Sequence, residues 1–193
     1  MKKRNKLRSL ASKALGLTLA FCMALSFCAP LNVEAKKVKT LKVKHLDNYT
    51  SRIDYVDSIA TTVKKGSYKV KVKTRRGYGM TECYLKFVAP KTNTYRVTVS
   101  DLKMYLKNNK SARPFGSFTF NKPNSKTECI EHADNGTGEW SLYVSSNKSR
   151  PSIYKPKRTG KIHLDEGEVL YVCISVASDA TREKYCTANV KIK

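Results

Sequence analysis

Among the 193 residues there is one tryptophan, only three histidines, and 15 acidic side chains against 38 basic ones. The scarcity of acids excludes a chain that balances its own charge. The formal net charge is +23, which predicts attraction to polyanions. Motifs that carry chemistry are missing as well. There is no His-Glu-x-x-His, no Gly-x-Ser-x-Gly elbow, no phosphate-cradling glycine loop and no cysteine flanked as in thiol proteases. Long apolar runs are absent after the first thirty residues, so no later segment is expected to cross a membrane as a helix.

What is present begins with an apolar run, Ala14 to Phe27, preceded by Lys2, Lys3, Arg4, Lys6, Arg8 and Lys13. Such a run is short for a permanent span, and Val33-Glu34-Ala35 places small residues at the −3 and −1 positions of a peptidase site. Residues 1–35 therefore read as a secretory signal peptide, with a mature chain of 158 residues from Lys36. Lipidation at Cys22 or Cys28 is not expected, because each follows a phenylalanine where a small residue is required. The mature part keeps 32 basic and 14 acidic side chains. An extracellular or envelope-associated protein of this charge suits anionic wall polymers or acidic glycans, held by charge without a sorting motif or membrane anchor. No specific nucleic-acid partner is expected, and the oligomeric state is open.

Strand signals dominate the remainder. Alternating or β-branched runs recur at Val38–Lys44, Tyr68–Lys73, Cys83–Val88, Tyr95–Ser100, Ser117–Phe120, Trp140–Ser145, Glu168–Ala177 and Tyr185–Ile192. Gly, Pro and Asn clusters punctuate them, including Asn135-Gly136, read as a hairpin turn, and Pro151 to Gly160, read as a loop. Helical turns fit only Asn48–Ala60 and Leu102–Lys107. The expectation is an all-β, antiparallel β-sandwich or jelly roll of about eight to ten strands. One domain spans 36–193, with an N-terminal strand and extension over 36–66 and the core over 67–193.

Period two sends Tyr68, Val70 and Val72 to one face and Lys69, Lys71 and Lys73 to the other, and sets Lys42 and Lys44 around Val43. These lysine ladders would suit a flat anionic partner, although lysine on an exposed strand also discourages edge-to-edge aggregation. Loop residues Arg75, Arg76, Tyr78, Tyr154, Lys155, Lys157 and Arg158 complete the candidate contact surface: aromatics to stack on sugar rings, bases to meet acidic groups. A carbohydrate-binding module using such aromatics is the alternative reading, and a secreted hydrolase a weaker one. Trp140 is expected in the core.

Four cysteines lie in the mature chain, and export favours pairing them. Cys83 and Cys186 share the parity of inward apolar neighbours, whereas Cys173 has the opposite parity to Leu170, Val172, Ile174 and Val176. If Glu168–Ala177 and Tyr185–Ile192 form a hairpin, Cys83–Cys186 with Cys129–Cys173 is the preferred arrangement among three. Cys129-Ile-Glu-His132 offers only half a zinc site, and Asp134 to Glu139 lacks the alternating acids of a calcium loop. Glu128, Glu131 and Asp165 are the acids from which a glycosidase pair would be drawn, and no spacing brings two together. No catalytic residue, metal or cofactor is expected.

The segment Tyr84-Leu85-Lys86-Phe87-Val88-Ala89-Pro90-Lys91-Thr92-Asn93-Thr94-Tyr95-Arg96-Val97-Thr98-Val99-Ser100 resembles bacterial secreted domains of the pre-peptidase C-terminal kind, with a strand ending in Phe-x-x-Pro and Thr-Tyr opening the next. Ile162 to Val172 resembles the family's Leu-x-x-Gly-x-x-x-Tyr entry to a central strand, and Ala188 to Ile192 its last strand. The resemblance spans about Tyr68 to Lys193. It implies a β-sandwich that assists localisation or substrate contact. Asn93 replaces a common glycine, and the aspartate-rich middle strand is missing around Ser117–Phe120.

Overall fold

The structure, a computed structural model, describes residues 38–46, 50–74, 80–106, 111–112, 115–149, 151–177 and 183–193. The expected signal peptide, with Cys22 and Cys28, lies outside the described residues, as do Arg75, Arg76 and Tyr78.

Alternation decides the architecture. Apolar residues at every second position give each strand one face that must leave water, and two such sheets bury those faces against each other. The first sheet holds β1 (Lys39–Val43), β3 (Gly66–Lys73), β12 (Glu183–Ile192), β5 (Asn93–Leu106) and β10 (Lys157–Leu164) in that order, with β6 (Ser111–Ala112) beside β5. The second holds β2 (Thr61–Val63), β4 (Met80–Val88), β11 (Val169–Ala177), β7 (Phe115–Asn124) and β8 (Cys129–Ala133), with β9 (Leu142–Ser145) also on β7. Between them lie Val70, Val72, Leu85, Phe87, Tyr95, Val97, Phe118, Phe120, Leu170, Val172 and Val190, among others, all buried. Gly160 of β10 admits the Phe120 ring so closely that a Cβ there would stand 2.7 Å from it.

The all-β sandwich is as expected, but it differs in detail, beginning with twelve strands among the described residues in place of eight to ten. The sheets are mixed, since β1 pairs parallel with β3 and β2 parallel with β4. In addition, Lys157–Leu164 is a strand, although its start lies in the segment read as a loop, and Leu102–Leu106 continues β5 instead of forming a helical turn. One short helix, α1 (Ile53–Ile59), falls inside the first segment marked for a helical turn. It buries Val56 and Ile59 with Leu46, Ile130, Tyr84, Tyr171 and Cys173, forming a second apolar cluster on the outside of the second sheet. That cover explains why β11 is buried along both faces.

The cysteines differ from expectation: no disulfide joins Cys83, Cys129, Cys173 and Cys186. The proposed hairpin does not form, because β11 and β12 belong to different sheets. Cys83 and Cys186 do both face the inter-sheet core, from opposite sheets. Cys129 and Cys173 cannot meet. Opposite β7 they align with Asn124 and Thr119 on either side of it, about 16 Å apart along the strand, well beyond disulfide reach. Burial pushes the Cys83 thiol up, and pushes Cys173 up to about 12.

Candidate functional site

The two sheets have different outer faces. On the second sheet, α1 covers the middle, and the Asp57 carboxylate accepts from Lys86 Nζ at 2.8 Å and from the Tyr171 hydroxyl. Burial opposes ionisation of Asp57, but these two donors outweigh it and hold its carboxyl below the usual carboxylate range. The outside of the first sheet has no such cover from a described helix, and the same period that buries its valines turns cations to solvent.

Strand register assembles those cations into rows. Lys42 of β1 lies beside Lys71 of β3, then Thr187 of β12 and Lys103 of β5. One step along, Lys69 lies beside Asn189, Ser100 and Lys157. The next row runs Ser67, Lys191, Thr98 and Thr159, the two threonine hydroxyls hydrogen-bonded at 2.8 Å. Beyond it Lys193 and Arg96 exchange backbone hydrogen bonds, and Arg96 pairs with Lys161. At the opposite end Lys73 stands beside Tyr185, which pairs with Tyr105. With strands ~4.8 Å apart and like-facing residues ~7 Å apart along each, the face is a lattice of positive charge. Asp101 lies among these cations, engaged by Lys103 at 3.1 Å.

Small relief marks this face. Thr98, Ser100, Thr159, Asn189 and the side chains of Arg96, Lys157, Lys191 and Lys193 border a depression of about 460 Å³. A second of about 460 Å³ lies among Lys42, Lys71, Lys73, Lys184 and Tyr185. Beside it the Tyr185 ring stacks on Tyr105 at 4.6 Å and carries Lys71 Nζ 3.8 Å above its centroid. These contacts fix an aromatic base under one corner of the lattice.

The structure therefore places Lys69, Lys71, Lys73 and Lys157 together on one face. Arg158 turns away from it and ion-pairs with Glu139, its side chain only 16% exposed. Tyr154 and Lys155 precede β10 at the sheet edge, where Lys155 bridges to Ser145 through its backbone. Tyr105, inside the second segment expected to form a helical turn, is a sheet-face residue of β5. Arg96, Lys103, Lys191 and Lys193 escaped the sequence reading. Arg96 and Lys103 have opposite parity in the sequence, and only the irregularity of β5 at Asp101, where φ is 51°, turns both outward; Lys191 and Lys193 keep one parity, and register shows that they continue the β3 ladder.

A second feature lies at the open edge. Strands β8 and β9 follow each other along the same side of β7, so Asp134–Ser141 is a bulging loop and Asn135-Gly136 is not a hairpin turn. Buried Asn135 holds the loop: its Nδ2 donates to Glu139 O at 2.7 Å, its Oδ1 accepts from Thr137 N at 3.1 Å, and its own carbonyl accepts from Lys161 N of β10 at 2.8 Å. Trp140, expected in the core, is 71% exposed and stacks on His132 at 3.9 Å. Strand β9 starts two residues after it, so it never enters the alternation that would have buried it. His132 also lines a cleft of about 420 Å³ with Lys122, Glu131, Asp134, Lys161 and His163. The acids considered for a glycosidase pair have separate neighbours: Glu128 lies by Arg52, Glu131 accepts from Asn124, and Asp165 lies near His163. Among the described residues no three His, Cys, Asp or Glu side chains gather in metal-binding geometry.

No protein-family model matches the chain, and no curated protein matches its sequence. Among solved structures the chain is similar to the pre-peptidase C-terminal domain of a collagenase from Bacillus anthracis, at 9% identity, over 69% of this chain and 94% of that one, with a TM-score of 0.35. It is also similar to an Xyl-CBM35 in complex with a glucuronic acid containing disaccharide, at 13% identity over 64% and 72% of the two chains, TM-score 0.31. A CBM35 from Cellvibrio japonicus follows at 11% identity, 62% and 73%, TM-score 0.29. The first of these is a domain of the kind that Tyr84–Ser100 resembles.

Proposed function

We propose that this chain is an exported, non-catalytic binding module that holds anionic polymers of the cell envelope against the outer face of its first sheet. The observation that carries the reading is the row register of that face, which sets Lys42, Lys69, Lys71, Lys103, Lys157 and Lys191 on one surface with Asp101 among them. A repeating anion, phosphate or carboxylate, meets several ammonium groups at once on such a lattice, and each contact adds to the next because the strands already fix the spacing. Export follows from the leader-like composition of residues 1–35.

The test is co-sedimentation of the exported chain with purified cell walls, before and after extraction of their phosphate polymers, at low and high salt. Binding should fall on extraction and again in high salt, because exposed charge contacts are screened within about 10 Å at 0.1 M. Binding that survives both treatments would overturn the reading.

A further inference from the structure

We propose that Trp140 and the cleft beside it, which borders the basic face at Lys161, form a second site that receives a pyranose ring of a glycan. The indole is the most exposed of the large apolar side chains among the described residues, at 71%. It therefore contributes little to the core. One of its faces lies on the His132 ring, centroids 3.9 Å apart and planes within 22°, which leaves the other face to solvent. The His132 Nδ1 is buried and has no hydrogen-bond partner among the described residues.

The platform is also stiff. Asn135 is buried and pinned to Glu139, Thr137 and Lys161, and Glu139, the residue before Trp140, is tied to Arg158. A ligand meeting this indole has little loop entropy left to remove, the condition under which a single exposed aromatic contributes most to binding.

The cleft next to the stack decides the ligand class. Its volume, about 420 Å³, is of the size that small-ligand pockets show, roughly 300–1,000 Å³. Its walls carry both signs: Lys161 and His163 offer donors, Glu131 and Asp134 offer acceptors. Lys122 is already engaged by Glu168 at 3.1 Å. A polyanion would meet carboxylates here, and a purely apolar group would strand the polar ones. A glycan matches both parts, one pyranose ring offering C–H groups to the indole face and a neighbouring ring offering the cleft, which His132 lines, hydroxyls that both donate and accept.

Because Trp140 is the single tryptophan, its emission reports on this site alone. The exported chain would be titrated with N-acetylglucosamine tetramer, xylose tetramer and galacturonic acid trimer, following emission and, in parallel, heat of binding. At least one of these probes should shift the emission saturably, to the same extent at low and high salt. W140A should weaken that probe at least tenfold by calorimetry, and H132A several-fold. The triple variant K69E/K71E/K191E, which removes charge from the basic face, should leave it unchanged. No response to any of the three probes, an affinity unaltered in W140A, or a response abolished by salt or by the triple variant would overturn the proposal. Wall binding through the basic face is read separately, so either site can fail while the other stands.

Discussion

Asp57 shows how one side chain ties the helix to the sheet. It sits on α1, accepts from Lys86 on β4 and from the Tyr171 hydroxyl on β11, and so links three elements. Replacing it with alanine strands a buried tyrosine hydroxyl, at a cost of about 2 kcal/mol, whereas asparagine keeps an acceptor and costs about 1 kcal/mol; urea unfolding at pH 7 measures both. Glu168 is held low in the same sense, first by the Asp165 backbone N–H and then by Lys122. A carboxyl whose folded pKa lies below its unfolded one adds stability that is complete above the unfolded value and is lost as pH falls through the folded one. The protein should thus be less stable at pH 3 than at pH 7, and that drop should shrink in Asp57→Asn. An equal drop in the variant would mean that other carboxylates carry the acid sensitivity.

At the scale of elements, strands with several alternating apolar positions were readable from the chain: β3, β5 and β12 all contain the segments their valines predict, although β5 continues past an irregularity at Asp101 that no alternation foretells. Others were not, for local reasons. Strand β2 has three residues, and β10 begins after Pro156 and contains Gly160, both of which look like loop chemistry until Phe120 fills the space beside that glycine. The parallel pairing of β1 with β3 and of β2 with β4 leaves no trace in residue order. Half of the basic face was legible as the β3 ladder, while the β5 and β12 cations join it only through register; Trp140 was misplaced because its neighbours Leu142 and Val144 extend an apolar pattern back to it. Helix α1 has only seven residues, too few to persist without packing. Val56→Ala should therefore loosen it, costing about 2 kcal/mol in buried methyl groups. Thiol labelling checks this directly: Cys173, under the helix, should react faster in the variant, while Cys83, between the sheets, should not. Equal acceleration of the two would show global rather than local opening.

At the largest scale the described residues form a sandwich with unlike outsides, one sheet covered over its middle by the helix and the other presenting cations. Net charge alone would draw such a protein to any anionic surface without orienting it. If the lattice is what binds, position must matter more than total charge. Two triple variants separate these cases. K69E/K71E/K191E alters the face, and K91E/K126E/K148E alters three exposed turn lysines elsewhere, and each lowers the formal charge equally. Wall binding at low salt should fall at least tenfold in the first and less than about threefold in the second, since a lost lattice contact also weakens its neighbours while an isolated surface charge contributes only a long-range, screened attraction. Equal losses would reduce the face to one part of a diffuse positive field, and the registered rows of β1, β3, β12 and β5 would then owe their lysines to solubility and to the protection of exposed strands from one another.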